Sequence, residues 1–312
     1  MRWQPLSYAI TVEFMPEHFN YALITPARNE AQYIELTIKS VVAQTLRPVK
    51  WVIVNDGSTD TTAEIVAKYT AEHPWIELIQ MPERKERNFA GKALAVSAGQ
   101  NRLLGLEYDA IGNLDADVSF EPDYFEFLMR KFAENPKLGV AGTLFLEGNM
   151  QYDYELVGIE HVAGMCQIFR RECFEAIGGY PAIKSGGIDL IAVLSARAKG
   201  WETRTFLEKS FIHHRSQSGA LYSGLRSKWY MGRKDYLLGN HPLWEFLRCV
   251  YRMQHQPYVI GGALALAAYL WYALRGVEKT MPKELIALRR SEQMKRLNSI
   301  IRRHLHFSVA HG

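Results

Sequence analysis

The sequence predicts an α/β domain with a mainly parallel central sheet flanked by helices, followed by a C-terminal apolar helix and an amphipathic basic tail. Three observations predict it. Short apolar runs of strand length alternate with longer segments of helical period through the first part of the chain. Polar clusters fall just after several of those runs, where an open parallel sheet presents its ligand site. Beyond residue 240 the pattern changes to one uncharged apolar stretch and an arginine-rich segment.

In order, Tyr21 to Thr25 (YALIT) reads as a strand, and Glu30 to Ala43 places Ile34, Ile38, Val41 and Val42 on one helical face. Val49 to Val54 reads as the second strand, and Thr61 to Tyr69 as the second helix with Asp60 as its N-cap. Trp75 to Met81 is a third strand, Gly91 to Leu104 a third helix and Asp109 to Leu114 a fourth strand. This βαβαβαβ series implies parallel strands with helices on both faces.

With 312 residues and 48% hydrophobic composition the chain can bury a full core, which excludes a disordered protein. Cys166, Cys173 and Cys249 form neither an even framework nor CxxC pairs, so a disulfide scaffold and a zinc knuckle are excluded and a reducing compartment is expected. The net charge of +4 resides in the tail: from Arg275 onward nine Lys/Arg face three Glu, leaving the preceding residues slightly acidic. No nucleic-acid partner is expected. Glu13, Glu17 and His18 interrupt the first apolar residues, so no signal peptide is read and the N-terminus is expected to stay in the cytoplasm.

Tyr258 to Leu274 has 17 residues without a charge, slightly short of the ~20 usual for a bilayer span. Tyr258, Tyr269, Trp271 and Tyr272 near its ends resemble interfacial aromatics, although a buried helix of a soluble core has the same composition. A single crossing would put the basic tail outside, against the positive-inside tendency. A segment dipping into the inner leaflet avoids that conflict. Pro282 to Arg303, with Leu285, Leu288, Met294, Leu297, Ile300 and Ile301 among basic residues, reads as an interfacial amphipathic helix.

Four clusters carry candidate chemistry. Thr25-Pro26-Ala27-Arg28-Asn29-Glu30 follows the first strand, Asn55-Asp56-Gly57-Ser58-Thr59-Asp60 the second, Gly91-Lys92 opens the third helix, and Asp115-Ala116-Asp117 ends the fourth strand. Two aspartates at i and i+2 can reach one hard divalent cation that bridges a diphosphate, though a surface turn gives the same letters. Lys92 at a helix start can offer its charge to phosphate oxygens, or be an ordinary solvated lysine.

These motifs, in this order and spacing, resemble the inverting family 2 glycosyltransferases of the GT-A fold, of the membrane-associated kind that makes bacterial polysaccharides or glycolipids. The likeness covers roughly residues 20 to 215. It implies a nucleoside-diphosphate sugar donor, a UDP-sugar being favoured, held by Pro26, Ala27, Arg28, Glu30, Asp56, Gly57, Lys92 and Asp115. It also implies Mn²⁺ or Mg²⁺ on Asp115 and Asp117, with His213 of the His213-His214-Arg215 cluster as a further ligand. The family's general base usually lies in a Glu-Asp pair after a Gly-Gly-aromatic turn and before Gly-Trp. Here Gly178-Gly179-Tyr180 and Gly200-Trp201 bracket Ile188-Asp189, so Asp189 takes the base position while Ile188 replaces the glutamate. Apolar Ile188 is expected to raise the pKa of Asp189; the other role for Asp189 is a helix N-cap.

The resemblance, over roughly residues 20 to 215, and the change of patterning at Gly239 to Pro257 together lead us to expect a catalytic domain over residues 1–240 and a membrane-associating region over 241–312. The expected function is transfer of a single sugar to a lipid-linked or other glycan acceptor at the cytoplasmic face of the membrane, with the protein peripheral or monotopic. A soluble acceptor is the alternative, and Ile188 keeps open a different class, a non-catalytic nucleotide-binding scaffold.

Overall fold

A computed structural model describes residues 19–83, 89–148, 158–215 and 224–309. The N-terminal stretch containing Glu13, Glu17 and His18 lies outside the described residues.

The first seven elements follow the expected alternation: β1 (Tyr21–Ala27), α1 (Ile34–Val42), β2 (Lys50–Asp56), α2 (Thr62–Glu72), β3 (Ile76–Met81), α3 (Phe89–Asn101) and β4 (Ala110–Leu114). Side chains alternate across the strands. Tyr21, Leu23, Trp51 and Ile53 enter one core with Ile34, Ile38 and Val66, whereas Ala22, Ile24, Val52 and Val54 enter a second with Ala95 and Val96 of α3. Burial on both faces is why these strands read as continuous apolar runs.

The chain continues with β5 (Val118–Phe120), α4 (Tyr124–Glu134), β6 (Leu138–Leu146), β7 (Cys166–Arg170), α5 (Arg171–Ile177), α6 (Ile188–Ala198) and β8 (Glu202–His213). One eight-stranded sheet results, in the order β3-β2-β1-β4-β7-β6-β8-β5. The expectation of a mainly parallel sheet needs correction. β3, β2, β1 and β4 pair in parallel, but β7 enters antiparallel between β4 and β6, and β5 is antiparallel to β8. The sheet is therefore mixed, and β4, the strand that leads into the two aspartates, borders both halves.

Four further helices are α7 (Gly224–Leu237), α8 (Pro242–Arg252), α9 (Ile260–Leu274) and α10 (Lys283–Val309). α8 starts with His241 accepting a hydrogen bond from the Leu243 N–H at 3.2 Å and with Pro242 in its first turn. The apolar segment forms α9, but with 15 residues it is too short to cross a bilayer, and no helix of the described residues is long and apolar enough to do so. One face of α9, including Ala265, Ala268 and Tyr269, is buried in contacts with α7 and α8, while Trp271 and Leu274 are exposed. The first turns of α10 pack inward rather than lying open along one side: Leu285 and Ile286 join Ile191 and Leu194 of α6 in a small core. Buried Asn240 ties these helices together. Its amide donates to Glu245 at 2.7 Å, its Oδ1 accepts from Arg289 at 2.7 Å and Gln293 at 2.9 Å, and its carbonyl accepts from Tyr269 at 2.8 Å.

Candidate active site

The loops after β1 and β2 are laced together. The Asn29 N–H donates to Ser58 at 3.0 Å, the Glu30 N–H to Thr62 at 2.8 Å, the Ala31 N–H to Asp60 at 3.1 Å, and the Thr59 N–H to the Asn29 side chain at 2.8 Å. Asn29 holds a φ of 56°, in the left-handed region that asparagine tolerates. At Gly57 (φ 65°) a Cβ would come within 2.6 Å of the Glu83 backbone, so only glycine fits this turn. The N-cap position of α2 falls to Thr61, one residue later than expected; Asp60 accepts the Thr62 N–H at 3.1 Å just ahead of it and acts as a stitch between the two loops. The lacing leaves Pro26, Ala27 and Arg28 at the end of β1 beside Asp56, which ends β2 with 6% exposure.

The aspartates after β4 part company. Lys92, in the first turn of α3, donates to Asp115 at 2.5 Å and to the Gly164 carbonyl at 3.1 Å. Burial works against the Lys92 charge, but Asp115, Asp189 and Asp117 raise its pKa above the ordinary lysine value, so it stays an ammonium. Burial likewise raises Asp115, with Lys92 opposing. Asp117 lies 3.5 Å from His213 Nε2, and Glu147 bonds the other ring nitrogen at 2.9 Å. Burial disfavours the His213 charge, yet hydrogen bonds donated to Asp117 and Glu147 prevail and push its pKa up to about 9, making an imidazolium at neutral pH. Arg215 closes this centre: it bonds Glu30, approaches Asp117 at 3.5 Å and lies over the Tyr33 ring at 5.5 Å. Glu30, Asp117, His213 and Arg215 thus meet from the loop after β1, the link between β4 and β5, and the end of β8 with the residues just beyond it. Among the described residues, no group of three or more His, Cys, Asp or Glu side chains is arranged to hold a metal ion.

Asp189 sits in the first turn of α6, whose N-cap is Gly187, so capping is not its role. Its carboxylate packs on Gly164, where a Cβ would be 2.7 Å from Asp189 Oδ2; any larger residue would displace the acid. Ile188 is 2% exposed, so the apolar substitute for the family's glutamate is a core residue. The expected rise in the Asp189 pKa is reversed. Burial does push it up, but Lys234, His161 and Lys92 outweigh burial and hold it below the ordinary aspartate value. Gly178-Gly179-Tyr180 serves the same segment at one remove: the Tyr180 hydroxyl donates to Gln167 at 2.5 Å, and Gln167 donates to the Val162 carbonyl at 2.9 Å. Trp201 packs against Gly139 and the second core.

Beyond Asp189 opens a cavity of about 310 Å³, between the loop carrying His161 and Gly164 on one side and helices α6, α7, α8 and α10 on the other. Lys234, Trp244 and Arg289 line it. These residues, and Glu147 beside His213, were not singled out from the sequence; they belong to no short motif.

Nucleotide-type loops at the carboxyl ends of parallel strands, an acidic centre at the edge of the parallel half, and a separate buried carboxylate define a transferase of the GT-A architecture. The sequence pattern of Glycosyl transferase family 2 matches residues 22–179, and the chain belongs to that family. A hyaluronan synthase of Pasteurella multocida is 27% identical over 45% of this chain and 14% of its own length. A dolichyl-phosphate beta-glucosyltransferase of Trichomonas vaginalis is 35% identical over 38% of this chain and 35% of its own. A poly-beta-1,6-N-acetyl-D-glucosamine synthase of Staphylococcus aureus is 32% identical over 36% of this chain and 25% of its own. The chain thus spans a minor part of the curated relatives it matches. Among solved structures, the mannosyltransferase PcManGT of Pyrobaculum calidifontis, in complex with GDP-Man and Mn²⁺, shares the fold with a TM-score of 0.55 at 17% identity, covering 89% of this chain and 80% of its own. Staphylococcus aureus TarS in complex with UDP-GlcNAc does so with a TM-score of 0.52 at 16% identity, covering 80% and 71%.

Proposed function

We propose that the protein transfers a single sugar, with inversion, from a nucleoside-diphosphate sugar to a lipid-linked or membrane-proximal acceptor in polysaccharide or glycolipid synthesis. The observation that carries this reading is the buried Asp189 carboxylate, held across Gly164 from the Lys92–Asp115 pair. The nucleoside lies on the laced loops, against Pro26 to Glu30, Asp56 and Gly57. Lys92 and Arg215 supply positive charge to the diphosphate. Asp189 accepts the proton of the acceptor hydroxyl as its oxygen attacks the anomeric carbon from the face opposite the diphosphate. The bond between that carbon and the diphosphate oxygen breaks, and the nucleoside diphosphate leaves with the electron pair.

Asp117 would hold Mn²⁺ or Mg²⁺ together with substrate phosphates, and His213 would join it only as the neutral imidazole, after giving up the proton that Asp117 and Glu147 hold on it. The ion supplies positive charge to the leaving diphosphate. Asp115 is engaged by Lys92 and joins such a set only by exchanging that partner.

Membrane proximity is supported by an apolar surface on α8 and α9. Leu243, Phe246, Leu247 and Val250 are exposed on one, Ile260, Leu270, Trp271 and Leu274 on the other, with Arg275 over the Trp271 ring at 4.3 Å. The surface fits the headgroup region of the cytoplasmic leaflet, which suits aromatic residues flanked by cations. Transfer assays over a panel of UDP- and GDP-sugars, with membrane lipid extract and Mn²⁺ or Mg²⁺, test the reading. Turnover in the wild type and its loss in Asp189→Asn is the expected result; donor binding without turnover in either protein would mean a non-catalytic scaffold.

A further inference from the structure

The cavity beside Asp189 is walled by cations, and most of them are already matched. Arg197 makes two 2.9 Å bonds to Glu292, Arg248 bonds Asp235 at 2.5 Å and Glu245 at 2.6 Å, and Arg296 pairs with Glu160. Two lack a carboxylate at hydrogen-bond distance. Lys234 makes no hydrogen bond or close ion pair among the described residues and answers Asp189 only at longer range, and Arg289 has no carboxylate within ion-pair distance there. The Arg289 Nε donates to Asn240 at 2.7 Å, while its Nη1 is buried without any hydrogen bond. An unsatisfied guanidinium nitrogen against a cavity is costly unless something fills it.

The cations also act on the groups around the cavity. Burial, with Asp189 opposing and Arg289, Arg197 and Lys234 adding to it, lowers His161 to about 4. Burial, with Arg248 adding to it and Asp235 opposing, lowers Arg289 to about 10. The lining also includes apolar Leu194, Leu238 and Trp244, so the space suits an anion attached to a carbon-rich group. Two cations without a close carboxylate, one of them a guanidinium fork, fit a phosphate ester of about −1.5 to −2 charge better than a single carboxylate.

We propose that this cavity is the acceptor subsite and that the acceptor carries a phosphate group, bound by Lys234 and Arg289 while its hydroxyl faces Asp189. The assignment rests on the glycosyltransferase reading for its meaning, but the phosphate site can be tested without it. A lipid phosphate and a soluble sugar or polyol phosphate share this chemistry.

The test is an equilibrium titration of the full chain, with UDP or GDP present in excess to cover the cations on the donor side. Glycerol 1-phosphate is compared with glycerol, and phosphatidylcholine vesicles containing phosphatidic acid with vesicles of phosphatidylcholine alone. The phosphate-bearing member of each pair should bind more tightly, and Lys234→Gln and Arg289→Gln should each weaken that preference by on the order of tenfold. Lys234→Gln removes no bond within the protein, so it reads the site even if Arg289→Gln loosens the Asn240 junction. A preference confined to the vesicles identifies a lipid phosphate, and one equally strong for glycerol 1-phosphate identifies a soluble one. No preference for phosphate, or a preference that both variants retain in full, overturns the proposal. Nucleotide binding is read separately: a chain that binds neither UDP nor GDP contradicts the glycosyltransferase reading, whatever the phosphate result.

Discussion

The two sides of the site are built by different means. On the donor side, residues 29–31 and 58–62 bond one another through main-chain N–H groups and short polar side chains, within two loops that follow adjacent parallel strands. Around the cavity that we propose as the acceptor side, the wall comes from side chains on α6, α7, α8 and α10, joined by buried ion pairs and by Asn240. Short-range lacing makes a site that depends on a few neighbouring letters. Long-range assembly makes one that depends on how helices dock, and there a single charge change reaches both stability and binding.

The largest effect should come where the two sides meet. Asp189→Asn is expected to lower the transfer rate by about 10²–10⁴-fold while nucleotide binding persists, as measured by steady-state kinetics and calorimetry. A comparable loss of nucleotide affinity would instead make Asp189 part of the donor side.

Next, the acceptor wall should be the more fragile under charge removal. Asp235 is held down to about 2; burial opposes its charge, but Arg248 and Arg252 more than compensate. Asp235→Asn leaves Arg248 short of one partner, and chemical denaturation should register a loss of about 3–5 kcal/mol. Asp60→Asn, which weakens one stitch of the exposed donor lacing, should cost only about 1 kcal/mol.

Acid should separate the sides as well. His161 has a folded pKa of about 4, lowered from 6.5, so below pH 6.5 the unfolded chain binds a proton that the folded chain refuses. Its contribution therefore destabilises progressively as pH falls from 6.5 to 4, by on the order of 2–3 kcal/mol in all. Denaturation midpoints across that window should slope less in His161→Gln, and an unchanged slope would assign the acid sensitivity elsewhere. The smallest effect on folding is expected at the apolar surface: Trp271→Ser should shift stability by about 0.5 kcal/mol or less but weaken vesicle binding several-fold.

The contrast also governs what could be read from the letters. The order β1 to β4 was legible because both-face burial gives unbroken apolar runs, and the donor loops because turn and cap chemistry is local. The antiparallel entry of β7 was not, since a strand's side-chain period is the same in either direction. Asp189 was legible from its spacing to Gly-Gly-Tyr and Gly-Trp, but the direction of its pKa shift was not: Ile188 is its neighbour in sequence, and Lys234 is its neighbour in space. Arg289 read as one of nine cations facing lipid headgroups. Only the docking of Leu285 and Ile286 onto α6 turns it inward.

That docking bears on how the enzyme can be handled. Cutting the chain ahead of Lys283 to obtain a better-behaved protein would uncover Ile191 and Leu194, strip Arg197 of Glu292 and remove Arg289 from Asn240. What remained would have an open flank on α6 and only half of the cavity beside Asp189. Inactivity of such a truncate would report the missing wall, and would be silent about whether the enzyme needs a membrane.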